Sequence, residues 1–304
     1  MDSQDGKKVV IAGGTGLVGR RLAGALARRG AQVHILSRSP HPSDSNGIQL
    51  GGWDNLPERL QGASAVINLA GEGIADQRWT PARKKTLLES RLGPTQRLLE
   101  AMAALAEPPP VLVNASAIGI YGSELEAPVA EQQAPGTSFL AEVCSRWEAA
   151  ADKALALGVR VVKLRIGVVL AREGGALPKI ALPVRLFAGT ALGTGRQGFS
   201  WIHLEDLVRL FMEAADNPAY QGAINATAPH PCSNHDLMRQ IATRLHRPLW
   251  PVPAALTQAG LNLLVGEMAG PMLLSGAFVL PARALELGFQ FHYPNLTDAL
   301  KDLL

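Results

Sequence analysis

The chain of 304 residues is 47% hydrophobic and 18% charged, which is enough for a large core and for one big or two modest domains. A net charge of +3, 5% aromatic residues and no basic stripe argue against a nucleic-acid partner. Two cysteines, Cys144 and Cys232, cannot be a disulfide framework, and no apolar run reaches the roughly 18 residues that span a bilayer. These features predict a soluble, cytoplasmic protein with no membrane partner.

The first element is an apolar run, Val9 to Ala12, that reads as a buried parallel strand. Gly13-Gly14-Thr15-Gly16-Leu17-Val18-Gly19 follows, leading into a helical pattern with Leu17, Val18, Leu22 and Leu26 on one face. Strand, glycine turn and helix are the first unit of a dinucleotide-binding fold. Gly13 would allow the tight turn, Gly16 would let the backbone approach a pyrophosphate, and Gly19 would let the helix pack closely. The helix start from Thr15 to Val18 then offers free N–H groups and a positive dipole end to the phosphates.

Ala31 to Leu36 reads as the second strand, ending in Ser37-Arg38-Ser39. An acidic residue about 20 positions beyond the last glycine would hydrogen-bond a ribose 2′-hydroxyl; here Arg38 stands there. A guanidinium matches phosphate geometry, so NADP(H) is expected ahead of NAD. Ala65 to Leu69 is a further strand running into Asn68-Leu69-Ala70-Gly71. A long helical pattern from Ala82 to Leu105 has Leu87, Leu88, Leu92, Leu98, Leu99 and Met102 as its apolar face. Arg78, Arg83, Lys84, Lys85 and Arg91 read as a solvated face of that region.

Val111 to Ala115 is predicted as a strand, Phe139 to Leu157 as a helix and Val159 to Ile166 as another strand. This alternation predicts an α/β fold, a Rossmann-type doubly wound parallel sheet with a smaller, mostly helical C-terminal substrate-side unit. Residues 1–170 would form the dinucleotide-binding domain, with 199–230 returning to it. Residues 171–198 and 231–304 would form the substrate-side unit. His230, Cys232 and His235 lie close together, but Ser233 before Leu237, Ile241 and Leu245 reads as a helix cap, so no metal site is expected.

GGTGLVG, NLAG, SAIGIYG, Arg165 to Leu170 and Trp201 to Leu207 occur in the order seen in extended short-chain dehydrogenase/reductases. More narrowly, Gln77 to Thr80, Glu89 to Leu92, Phe139 to Glu148 and the tail from Gly266 to Arg283 resemble one epimerase-like subgroup. Its members are labelled nucleoside-diphosphate-sugar epimerase or cell-division inhibitor, and they end in a domain of unknown function. The resemblance implies cofactor-side positions at Asp54, Leu69, Ala70, Gly71, Ser116 and Ile166 beside those of the glycine turn, Ser37 and Arg38. It implies substrate-side positions at Glu72, Arg196 and His203.

The chain departs from the family at its catalytic pair. The Tyr-x-x-x-Lys positions fall on Leu140 and Cys144, and the upstream hydroxyl falls on Ala117 with Ser116 beside it. Leu140 has no acid–base chemistry. Tyr121 and Ser116 are the substitute candidates, against packing and turn roles for the same residues. Cys144, between apolar residues, reads as a buried inert thiol. Asp206 reads as a helix-start or backbone-ordering residue, and His203 either touches substrate or orders its loop. The loop from Gly193 to Gly198 suits an anionic or polyhydroxylated ligand, or is a plain flexible loop. Two functions follow: an NADP-dependent oxidoreductase or epimerase acting on a small polar alcohol or carbonyl such as a sugar or nucleotide-sugar, and a non-catalytic NADP-binding regulator or scaffold.

Overall fold

The computed structural model of the chain describes residues 6–38, 44–45, 47–122 and 127–304; Ser39 lies outside the described residues. Strands β1 (Lys8–Ala12), β2 (Gln32–Leu36), β3 (Asp44–Ser45), β4 (Ile48–Gly51), β5 (Ala65–Asn68), β6 (Val111–Ala117) and β7 (Arg160–Ile166) open the chain. Helices α1 (Leu17–Arg28), α2 (Leu56–Leu60), α3 (Pro81–Ala103) and α4 (Phe139–Asp152) connect them. There follow β8 (Val168–Leu170), α5 (Leu177–Arg185), β9 (Gly198–Phe199), β10 (Trp201–His203), α6 (Leu204–Asp216) and β11 (Gly222–Ala226). The chain ends in β12 (Cys232–Ser233), α7 (Asn234–Leu245), α8 (Ala254–Val265), α9 (Ala282–Glu286) and α10 (Leu296–Leu303).

The main sheet runs β11-β7-β6-β5-β1-β2-β4-β3, parallel except for the terminal β3–β4 pair. Its register places Ile11 beside Ile35 and Ile67, and Ile67 beside Val113. Because successive side chains of a strand face opposite ways, β1 feeds two cores. Val9 and Ile11 join α1 and α6 on one face, while Val10 and Ala12 join Leu98, Leu99 and Met102 of α3 on the other. Strand order reverses between β1 and β5, and open α/β sheets bind ligands at the carboxyl ends of strands at such a switch point.

Several element boundaries differ from expectation for local reasons. β6 continues to Ala117 because Ser116 and Ala117 still pair with Arg165 and Ile166. The helix from Phe139 ends at Asp152, and Lys153–Leu157 tightens into a 3₁₀ turn closed by Gly158 at φ 74°. In α3, Leu88 and Leu92 are half-buried, while Arg83, Arg91 and Thr95 take core-facing places beside Leu87, Leu98 and Met102. The solvated-face reading of Arg83 and Arg91 is therefore corrected.

Beyond β7, the chain builds a second core from Leu170, Leu177, Trp201, Leu237, Ile241 and Leu300. β11 returns to the main sheet beside β7, and Ala284 and Phe289 pack into the core of α1 and α6. Ser233 caps α7 by accepting the Asp236 N–H at 3.0 Å. Among the described residues, no helix is long and apolar enough to cross a membrane, and no group of three His, Cys, Asp or Glu is placed to hold a metal.

Candidate functional site

The carboxyl ends of β1, β2, β5, β6 and β7 line one edge of the sheet. At β1, Gly13 has φ +76°, and a Cβ there would lie 2.7 Å from the carbonyl carbon and oxygen of Leu69. The glycine turn and the Leu69–Gly71 segment are thus pressed together backbone to backbone. A Cβ on Gly19 would lie 2.5 Å from the Gly14 Cα, and one on Gly14 would lie 2.7 Å from Ile35, so both glycines serve packing. Gly16 is different: the nearest protein atom to its Cβ would be the Gly13 oxygen at 3.5 Å. Gly16 is also the N-cap of α1, with no side-chain cap bond and no acidic residue in the first turn. The N–H groups of that turn, with the helix dipole behind them, are left for an anion.

The neighbouring loops fit the same ligand. Asn68, fully buried, accepts the Ala70 N–H at 3.2 Å while its amide donates to Thr95 and Asn114 at 2.9 and 2.7 Å. Leu17 sits against Gly174 and Gly175, a second glycine pair that sequence reasoning passed over. At the end of β2, the Ser37 N–H donates to the Gly51 oxygen, and the Arg38 side chain, 84% exposed, lies 3.7 Å from Glu72. Asp54 is an exposed carboxylate paired with Arg59. Ile166 ends β7 opposite Ala117.

Glu72 was expected on the substrate side. The structure ion-pairs its carboxylate with buried Arg83 and places it 3.7 Å from Arg38. Arg196 is exposed on a loop that is not plainly flexible. Leu192 N–H donates to Asn234, Gly193 N–H to Thr257, and the Gln197 amide to the carbonyls of Leu192 and Leu273.

The catalytic candidates Tyr121 and Ser116 are both enclosed. The Tyr121 hydroxyl, in a residue 2% exposed, donates to Asn225 Oδ1 at 2.6 Å and accepts from Arg165 at 2.9 Å. Burial raises its pKa against the opposing pull of Arg165. Its hydroxyl is thus engaged within the protein on both its donor and acceptor sides. Ser116 is equally enclosed and donates to Glu148, which in turn binds Arg165 through both oxygens. Burial pushes the Cys144 thiol up to about 11, which holds it protonated.

His203 is likewise held within the protein. Its Nδ1 caps α6 by accepting the Glu205 N–H, its Nε2 lies 3.3 Å from Asp302, and its ring stacks on Tyr293 at 3.8 Å. Asp206 has the ordering role expected of it, accepting the N–H groups of His292 and Tyr293 at 2.8 Å each. Leu140 lies in an apolar cluster with Trp79, Leu87, Phe139 and Met268. The C-terminal unit seals that cluster: Arg78 donates to the Leu263 carbonyl, and Lys84 ion-pairs with Glu267.

A parallel sheet with its switch point at β1/β5, an uncapped glycine-turn helix and a buried asparagine holding the facing loop define a dinucleotide-binding α/β protein. Residues 9–226 match the NAD dependent epimerase/dehydratase family, to which the chain belongs, and residues 252–303 match a domain of unknown function, DUF1731. The epimerase family protein SDR39U1 homolog, chloroplastic, of Arabidopsis thaliana is 40% identical, with 97% of this chain and 86% of that protein covered. Epimerase family protein YfhF of Bacillus subtilis is 37% identical over 97% of both chains. The crystal structure of human epimerase family protein SDR39U1 (isoform 2) with NADPH superposes with a TM-score of 0.87 at 34% identity, covering 97% of this chain and 98% of that one. A nucleoside-diphosphate sugar epimerase from Corynebacterium glutamicum has a TM-score of 0.79 at 32% identity, covering 98% of this chain and 58% of that one.

Proposed function

We propose that this protein is an NADP(H)-binding oxidoreductase of the epimerase-like short-chain type, acting on a small polar alcohol or carbonyl such as a sugar or nucleotide-sugar. The observation that carries the reading is the uncapped start of α1 at Gly16, together with exposed Arg38 just beyond β2. The α1 N–H groups would hold the pyrophosphate, and Arg38 the 2′-phosphate. The human relative whose solved structure contains NADPH supports the choice of cofactor. When bound, the nicotinamide supplies hydride chemistry; the protein orients it and excludes water. Leu140 and Cys144 supply no acid at the family's usual place, where a positioned proton donor contributes roughly 10²–10⁴-fold.

That same place favours a second reading, a non-catalytic NADPH-binding protein, because Leu140 is packed against the apolar cluster of Trp79, Leu87 and Met268. NADPH deuterated at nicotinamide C4 with small ketones and aldoses, and NADP⁺ with sugars and nucleotide-sugars deuterated at their carbinol carbons, separate the two. Deuterium recovered in an alcohol product, or in NADPH or an epimerised product, supports the oxidoreductase. Tight NADPH binding with no label transfer across these substrates supports the binding protein.

A further inference from the structure

The exposed apolar surface of the chain is gathered in one place. Of the nine large hydrophobic side chains exposed among the described residues, seven lie within 182–187 and 250–263. Leu182, Leu186, Phe187, Trp250, Leu256 and Leu263 are between 54% and 77% exposed. The two segments form a single face. The Trp250 N–H donates to the Gly189 carbonyl at 2.8 Å, and its indole N–H to the Phe187 carbonyl at 2.7 Å. Thr190 donates to the Trp250 carbonyl, and Leu256 and Leu263 follow two turns apart on one side of α8. Scattered apolar residues are ordinary on a surface, but a contiguous cluster marks an interaction site.

Phe187 is an independent sign of the same thing. α5 ends in a Schellman turn, in which the Phe187 N–H donates to the Val184 carbonyl and the Ala188 N–H to that of Pro183. The left-handed position of such a turn is commonly glycine. Here it is Phe187, at φ +62°, and its exposed ring meets the guanidinium of Arg247 4.4 Å from its centroid. A strained backbone that carries an apolar ring into water gains little for the fold, and so points to a function outside it.

Charge identifies the partner. From Gly174 to Leu204 the chain has Lys179, Arg185 and Arg196 and no acidic residue; from Leu237 to Gly266 it has Arg239, Arg244 and Arg247 and again none. Glu267, just beyond α8, is ion-paired with Lys84. Lys179, Arg185 and Arg247 are exposed beside the apolar side chains, so the rim of the face is positive. A second copy docked about a two-fold axis would set these cations against themselves. The indole and threonine donors are also spent within the chain: Trp250 on Phe187, Thr190 on Trp250 and Thr257 on Ala254. A protein interface carries about one hydrogen bond per 100–200 Å². A bilayer surface asks instead for apolar side chains, an interfacial aromatic and cations against its phosphates.

We propose that this face, built from the end of α5, the 247–253 connector and α8, docks the protein on the surface of an anionic lipid bilayer. Leu186, Phe187 and Trp250 enter the headgroup region, and Arg185 and Arg247 meet lipid phosphates. The lack of a spanning helix among the described residues bears on crossing a bilayer, not on lying against one. The expectation of no membrane partner rests on the length of apolar runs, which a face assembled from two distant segments escapes.

The test is flotation of the full chain with vesicles of phosphatidylcholine alone and of equal parts phosphatidylcholine and phosphatidylglycerol. Wild type should bind the mixed vesicles on the order of ten-fold more tightly than the neutral ones, and high salt should remove most of that preference. Leu186→Ser/Phe187→Gly and, separately, Arg185→Glu/Arg247→Glu should each weaken binding to the mixed vesicles by on the order of ten-fold. Glycine suits the φ at 187, so the first of these variants should stay folded. Brominated acyl chains in the mixed vesicles should quench tryptophan fluorescence, and Trp250→Phe should remove that quenching, since Trp250 is the one exposed tryptophan. Equal binding to the two kinds of vesicle, or binding to neither, overturns the proposal without any variant. Undiminished binding by either folded double variant, or binding without quenching, also overturns it. With the vesicles unbound, a dimer that dissociates in Leu186→Ser/Phe187→Gly assigns the face to a second copy, and a monomer assigns it to an acidic protein surface.

Discussion

Gly13 and Gly16 stand three residues apart in one turn, yet their substitutions should fail in opposite ways. Alanine at Gly13 would keep φ near +76°, costing about 1–2 kcal/mol in the left-handed region. Its Cβ would also lie 2.7 Å from the Leu69 carbonyl and 2.9 Å from the Ala70 nitrogen, so backbone must move. Overpacking of that kind adds about 1–3 kcal/mol, for a total of about 2–5 kcal/mol. Valine at Gly16 meets no such obstacle, since φ is −73° and the nearest atom to its Cβ would be 3.5 Å away. Its fold cost should stay within about 1 kcal/mol, while its branched side chain stands over the α1 N-terminus. Thermal unfolding with and without NADPH reads both effects. Wild type at 100 times Kd should gain about 2.7 kcal/mol from ligand linkage. Gly13→Ala should melt lower without ligand; Gly16→Val should melt near wild type and show no ligand shift. A Gly16→Val protein that retains the NADPH shift would refute the placement of the pyrophosphate.

Arg38→Ala should weaken NADPH by about 1.5 kcal/mol, the low end for a charge-assisted hydrogen bond because the side chain is exposed, and should leave NADH unchanged. Equal losses for both cofactors in parallel titrations would remove the 2′-phosphate assignment. Tyr121→Phe strips partners from Asn225 and Arg165, so stability should fall by about 1–3 kcal/mol in denaturant unfolding with NADPH affinity intact. A folded Tyr121→Phe that loses only turnover would restore the tyrosine as an acid. Burial holds the His203 pKa below its ordinary 6.5, so the stability it contributes is complete above that value and is lost as pH falls through the folded-state value. His203→Asn should flatten the decline in melting temperature below pH 6.5; an unchanged decline would place the acid sensitivity elsewhere.

The parts legible in the sequence are those set by neighbours in the chain. The β1–turn–α1 unit is one such part, because period, glycine spacing and helix start all lie within residues 8–28. The buried arginines of α3 were legible in principle. Arg83, Leu87, Arg91 and Thr95 recur every four residues and continue to Leu98 and Met102, so both arginines lie on the apolar stripe. A count of charges hides this; a helical projection would have raised it. His203 could not be placed locally, since its fate depends on Asp302, 99 residues on, and on Tyr293. Glu148 and Arg165 were similarly opaque: their pairing needs β7 beside α4, which only the assembled sheet provides.

The two departures at the β5–β6 side of the edge act in the same direction. Leu140 removes a titrating phenol, and Cys144 removes a titrating amine and is itself held protonated up to about 11. His203, which titrates lower, is committed to α6 and Asp302 and does not face this edge. Cofactor affinity and any hydride transfer should therefore be flat from about pH 7 to 9, whereas a tyrosine–lysine pair tuned toward neutrality would titrate across that window. Stopped-flow absorbance at fixed ionic strength, with NADPH saturating, measures the transfer; fluorescence titration measures the affinity. A sigmoidal step with its midpoint inside the window, retained in Cys144→Ala, would mean that another group of the chain reaches the reacting atoms, and would overturn the assignment of a non-titrating site.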